Sequence, residues 1–298
     1  MRVFFTIFSI ILISNTLYAR GPLGIANIAK SVEALKSVDL SKSKPLVIAV
    51  IDTGIDKEHP DLKTHLWKNP GEMGIDKNGN DKSSNGIDDD ENGYIDDLHG
   101  WNFIEGNHNL SDRHGHGSHV AGIVLGKSKP AYLQGTNLPI QIMVLKYFDP
   151  EMDFSKVVDY TTEAIRYAVA NGADIINYSS GGDAYSFLER AAIQQAKDKG
   201  IYFITAAGNE GRNIDKRSYY PASYDLDNII SVSAVDEKQQ KVKSSNYGSS
   251  VTTAAPGKDI YSTTIKGKYA KMTGTSQATA FVARKVAAFK LLVNHQDK

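Results

Sequence analysis

Three side chains, far apart along the chain, could together carry acyl-transfer chemistry. Ser276 lies in Gly274-Thr275-Ser276-Gln277-Ala278, His116 opens His116-Gly117-Ser118-His119-Val120-Ala121-Gly122, and Asp52 begins Asp52-Thr53-Gly54. A serine hydroxyl becomes a good nucleophile when an imidazole can take its proton, and a carboxylate must hold that imidazole in the right tautomer. Behind Ser276, the residues Val282, Val286, Phe289 and Val293 recur at spacings of four, three and four. That spacing predicts a helix, with Ser276 at its N-cap or in its first turn. Free backbone N–H groups and the positive dipole end would then face a developing negative charge. A lone serine there would be an ordinary cap; the histidine and the aspartate are what suggest more.

A second chemistry is suggested by residues 69–100, which are rich in Gly, Asn and Asp. Asp88, Asp90 and Asn92 offer side-chain oxygens, Gly93 a turn, Tyr94 a carbonyl and Asp96 an acid, matching a calcium loop through its ninth position. His99 stands at the twelfth position in place of the usual Glu, which makes Asp97 a candidate for the missing ligand. Six acids fall within the ten residues from Asp88 to Asp97, and a bound divalent cation would offset their repulsion. The alternative is a solvated acidic loop. Asp76, Asn78, Asn80 and Asp81 form a weaker second cluster.

The elements that must position these residues alternate. Leu46 to Ile51 is a continuous apolar run, as expected of a buried parallel strand, and it ends at Asp52. Further strands are expected at Ile140 to Phe148, Asp174 to Tyr178, Ile201 to Ala206 and near Ile229 to Ala234. Helices are expected over 155–171 and about 185–199, ending at Asn171-Gly172 and Gly200. This pattern predicts an α/β fold, a mostly parallel sheet with helices on both faces. In such sheets function collects at the C-terminal ends of strands.

The 298 residues hold 34 basic and 34 acidic side chains, so nothing draws the chain to a polyanion and no nucleic-acid partner is expected. Cysteine is absent, which excludes disulfides, a thiol nucleophile and cysteine-ligated metals. Arg2, the apolar run from Val3 to Ile13 and Leu17-Tyr18-Ala19 read as a signal peptide over 1–19. A short leader over 20–44 follows, with Ile25, Ile28, Ala29, Val32 and Leu35 at helical spacing, and then one domain over 45–298. The mature protein is therefore expected to be secreted or periplasmic, with no membrane anchor once the signal is cut.

The ordered set of motifs resembles the subtilisin-type serine endopeptidases, the subtilases, from about Pro45 to about Val293. Their Asp, His, Ser chain order is familiar from that family. The resemblance implies a three-layer fold and a monomer that cuts protein or peptide substrates. It implies that Asp52 orients, His116 is the base, Ser276 is the nucleophile and Asn209 of Ala206-Ala207-Gly208-Asn209-Glu210-Gly211 donates to the oxyanion. Ser179, Ser180 and Gly181 match the edge that pairs with the substrate backbone and walls its first specificity pocket. The acidic loop, followed by Trp101-Asn102-Phe103, resembles an insertion of some secreted bacterial subtilases and suggests structural calcium. The chain departs from the pattern at Ser118, where Thr is usual, and at Arg284, where a packing Gly is usual. The principal alternative is a non-catalytic subtilase-like peptide-binding module. Asp52-Thr53-Gly54 also matches the aspartic-protease signature, and His114 to His119 faintly matches a zinc hydrolase run. The first lacks a second copy of the motif and the second lacks later histidines.

Overall fold

The computed structural model describes Leu35, residues 38–128 and residues 137–296. The signal peptide and, apart from Leu35, the leader helix expected from the sequence lie outside the described residues. Inside the sheet stands β1 (Leu46–Asp52), with every residue buried. It is paired on both sides in parallel, with β3 (Ile140–Lys146) and β4 (Ile175–Tyr178). That position explains an unbroken apolar run, since a strand covered on both faces has no solvent side to mark with polar residues. β2 (Gly100–Asn102), β5 (Tyr202–Ala206), β6 (Ile229–Val235) and β7 (Thr253–Pro256) complete a seven-stranded sheet in the order β2-β3-β1-β4-β5-β6-β7. All of its pairings are parallel.

Helices cover both faces. α1 (His116–Val124) and α4 (Thr275–Gln296) share one apolar core with Ile48, Val50, Ile142, Val144 and Ile204. α2 (Val157–Ala170) and α3 (Phe187–Asp198) share the other with Ala49, Ile51, Met143, Leu145 and Phe203. Alternate residues of each strand thus point to opposite layers, as the pleat requires. α2 gives way at Asn171 and Gly172, which has φ of 71°. α3 is capped by Ser186, whose hydroxyl accepts the Glu189 N–H at 3.2 Å.

Beside the sheet, β8 (Ile260–Thr263) and β9 (Tyr269–Met272) form an antiparallel hairpin. It is tied to α1. His119 Nε2 lies 3.0 Å from the Ile260 carbonyl and 3.1 Å from that of Ala270, and Ser262 and Thr263 donate to the carbonyls of His119 and Ser118. Burial pushes the His119 imidazole down to about 4, against the raising effect of the two carbonyls. Reversal of strand order about β1 leaves Asp52 at a switch point of the sheet, where a cleft is expected.

Candidate active site

Asp52 ends β1 and is 4% exposed. Its Oδ1 lies 2.7 Å from His116 Nδ1 and also accepts the Thr53 N–H at 2.8 Å. Burial pulls the His116 pKa down, but the Asp52 charge and hydrogen bond, with Asp112 adding, outweigh it. The imidazole therefore keeps its proton to higher pH than an ordinary histidine.

Glycines allow this approach. A Cβ on Gly117 would fall 2.2 Å from the Gly54 carbonyl oxygen, so only glycine lets the first turn of α1 settle on the Asp52 loop. Asp112 then fixes the turn. It accepts from Thr53 Oγ1, from the backbone of His114, Gly115 and Ser118, and from Ser118 Oγ at 2.7 Å. Thr53 Oγ1 in turn accepts the Gly117 N–H at 2.9 Å. Ser118 thus supplies the hydroxyl that a threonine would supply. Neither Asp112 nor Thr53 is marked as a positioning group by the sequence, where the one signal is an acid directly before Arg113-His114-Gly115.

Ser276 sits in the first turn of α4, 7% exposed. Its hydroxyl donates to the Ser179 carbonyl at 2.8 Å, and Ser179 Oγ donates back to the Ser276 carbonyl at 3.2 Å. Ser179 follows Tyr178, which is paired with Ile51, just as Asp52 follows Ile51. Ser276 is therefore seated on the strand end next to Asp52. Among the described residues no hydrogen bond joins it to His116.

Asn209 follows β5 on a loop turned by Gly208, with φ of 98°. Its Oδ1 accepts from the Thr275 N–H at 2.9 Å and from Thr275 Oγ1 at 3.2 Å, so the amide is locked beside Ser276 with Nδ2 as the remaining donor. Asn246, fully buried, clamps this loop. Its Nδ2 donates to the Ala207 carbonyl at 2.8 Å and its Oδ1 accepts from the backbone of Glu210 and Arg212. Of the edge residues, Ser180 accepts Thr205 Oγ1 at 3.4 Å and Gly181 lies against Tyr219 and Tyr220. Gly182 pairs with Tyr220 through two backbone hydrogen bonds.

The subtilase family model matches residues 43–295, nearly all of the described chain. The chain belongs to the subtilase family. It is 33% identical over 79% of its length to a thermophilic serine proteinase of Bacillus sp. strain AK1, and it spans 50% of that relative. It is 29% identical to thermitase of Thermoactinomyces vulgaris, covering 85% of this chain and 78% of the relative. A solved cold-adapted subtilisin-like serine proteinase superposes with a TM-score of 0.64 at 25% identity, over 84% of this chain and 76% of the other. The three-layer fold expected from the sequence is the subtilisin fold, and this subtilase is a serine-type endopeptidase by family.

The acidic loop is arranged differently from a simple linear calcium loop. Asp88 and Asp90 meet Glu72, with one oxygen from each within 4.8 Å of the others. Asn92 lies alongside, donating to Asp90 and Asp97, while its Oδ1 accepts the Tyr94 N–H. The Tyr94 ring packs edge-on against Trp101 and Tyr167. Asp96 is not part of the Glu72 group; its carboxylate accepts the Gly86 N–H. Asp97 is fully buried and accepts from Asn69, Asn92 and the Tyr167 hydroxyl, a structural post more than a free ligand.

No motif in the sequence marks Glu72, which lies sixteen residues before Asp88 on a separate turn. That turn docks through Gly71, where a Cβ would fall 2.3 Å from the Asp90 Cβ. Glu72 Oε1 accepts the Asp89 N–H, but Oε2 is buried and has no hydrogen-bond partner among the described residues. Burial pushes the carboxyl up to about 7; the Asp89 N–H opposes this, and the charges of Asp97, Asp89 and Asp90 reinforce it. An orphaned buried oxygen beside two further carboxylates fits a hard, oxygen-loving cation such as calcium.

Proposed function

We propose that this subtilase is a secreted endopeptidase that acts through Asp52, His116 and Ser276 by way of an acyl-enzyme. The observation that carries the reading is the 2.7 Å contact of His116 with Asp52 on the strand end beside the one that seats Ser276. Rotation about the Ser276 Cα–Cβ bond frees its hydroxyl from the Ser179 carbonyl and turns it to His116 Nε2. His116 takes the proton as Oγ attacks the scissile carbonyl carbon. The imidazolium is held by Asp52, whose attraction already favours the protonated ring. Asn209 Nδ2 and the Ser276 backbone N–H donate to the tetrahedral oxyanion at the positive end of α4. His116 then gives its proton to the leaving amine, and water repeats the sequence to release the acid.

Ser179, Ser180 and Gly181 receive the substrate backbone as an added strand. Glu72, Asp88 and Asp90 would hold calcium, with Asn92, the Tyr94 carbonyl and Asp96 completing the loop that positions them. Bound there, the cation supplies positive charge that neutralises the acids. The signal peptide over 1–19 directs the chain out of the cytoplasm, and the enzyme acts on protein or peptide substrates as a monomer. Incubating the mature protein with unfolded casein tests the reading. Wild type degrades it, Ser276→Ala loses the activity by orders of magnitude, and equal rates would reject the assignment.

One observation favours a second reading, a non-catalytic peptide-binding module. The Ser276 hydroxyl is engaged with Ser179 and not with His116. Such a module would bind peptides with full affinity and cut none.

A further inference from the structure

The chains leaving β4 and β5 start from neighbouring strand ends, where Tyr178 pairs with Thr205 and Thr205 Oγ1 donates to the Ser180 carbonyl at 3.4 Å. One becomes the substrate edge at 179–182 and the other the Asn209 loop. In the peptidase reading, a scissile carbonyl held by Ser276 and Asn209 brings its acyl-side residue to the gap between these two segments. The side chain on the acyl side of the cleaved bond must enter that gap.

The gap is filled. A Cβ on Gly181 would fall 2.5 Å from Cε1 of Tyr219, and one on Gly208 would fall 2.9 Å from its Cζ. The two glycines come from opposite walls, and the same ring touches both. Tyr219 is 8% exposed and packs with Ile214 and Ala222. Its backbone N–H donates to Ser223 Oγ at 3.1 Å, and its neighbour Tyr220 is pinned to Gly182 by bonds of 2.7 and 2.8 Å. The Arg212 guanidinium lies 6.0 Å from the ring centroid and is itself anchored on Asp183. Withdrawing the ring would break into this packing.

We propose that Tyr219 plugs the first specificity pocket and confines cleavage to bonds that follow small residues, Gly, Ala or Ser. The inference rests on the peptidase reading and adds its substrate class. A large apolar side chain would need the volume that the ring holds, whereas a methyl or hydroxymethyl group fits in front of it. Discrimination between side chains differing by a ring is expected on the order of a hundredfold in kcat/KM.

The test digests a peptide library randomised at the residue before the cleaved bond, with cleavage sites read by mass spectrometry. Wild type is expected to cut after Gly, Ala and Ser, with Ala preferred to Phe by about a hundredfold. Tyr219→Gly, and the milder Tyr219→Ala if the first fails to fold, should shift that ratio toward Phe by at least about tenfold. Wild-type cleavage after Phe, Tyr or Leu as readily as after Ala overturns the proposal and leaves the peptidase reading intact. Failure to cut any member of the library, with a folded protein, removes the peptidase reading and this proposal together.

Discussion

Ser118 donates its hydroxyl to Asp112 at 2.7 Å and accepts the Asp56 N–H on the same oxygen at 2.9 Å. One small side chain thereby ties the first turn of α1 to both loops beneath it. Ser118→Ala should leave the buried Asp112 short of a donor, at a cost of about 1–3 kcal/mol, and let His116 drift from Asp52. Thermal unfolding and kcat/KM should both fall, whereas Ser118→Thr keeps the hydroxyl and should retain both. A Thr variant as damaged as the Ala variant would mean that volume, not the hydroxyl, matters here.

Arg284, 6% exposed, reaches from α4 to the Val124 carbonyl at the end of α1, with Nη1 donating at 3.1 Å. Burial lowers its pKa to about 10. A cation at a helix C-terminus is favourable, and the side chain also fills the space beside Gly126. Arg284→Ala should destabilise the fold by about 2–4 kcal/mol in urea titrations through the cavity and the lost bond. Arg284→Gly, although it restores the residue usual in the family, should cost about a further 1 kcal/mol in a helix interior.

In the proposed triad His116 must be neutral to act as the base, so kcat/KM should fall as pH drops through its pKa. Because that pKa is raised, the fall should begin at higher pH than for an unperturbed imidazole. The stabilising contribution has the opposite sense: it is present below the ordinary imidazole pKa and lost as pH rises through the raised value. Asp52→Asn should move the acid limb of the rate profile to lower pH while lowering its plateau. A limb that does not move would separate His116 from the titration.

Glu189 is buried against the Tyr224 hydroxyl, which donates to its Oε2 at 2.8 Å. Burial pushes the carboxyl up to about 7, with the Tyr224 hydroxyl opposing. The native state therefore keeps a proton that the unfolded chain loses from about 4.5 upward. Its contribution should lower stability as pH rises across that window. Glu189→Gln should gain on wild type in melting temperature between pH 5 and pH 8, and a constant difference would contradict the assignment.

Calcium should raise the melting temperature of the wild type. A site filled at a hundred times Kd adds about 3 kcal/mol. Glu72→Gln removes the buried carboxylate and should abolish most of that calcium dependence. An unchanged calcium response would place the cation elsewhere.

The sheet was legible because β1, β3, β4, β5 and β6 carry apolar runs bounded by Gly, Asn and Asp. The edge strands β2 and β7 were not, because three or four residues containing Gly, Asn, Thr and Pro carry no periodic signal. The hairpin β8–β9 escaped for a related reason: it packs on α1 through His119, Ser262 and Thr263, whose polarity hides their burial. Ser276 was placed in its helix turn from spacing alone. Glu72 stayed hidden because its partnership with Asp88 and Asp90 is made by a turn docking in space, not by a motif. Tyr219 stayed hidden because nothing local marks a ring that spans two other loops.

The most direct test of the account is labelling with a fluorophosphonate, followed by peptide mapping of the folded, calcium-loaded protein. A single adduct on Ser276, lost in His116→Ala, is the predicted result. A folded protein that takes no label at Ser276 would contradict a catalytic triad here and leave a module that only holds peptides.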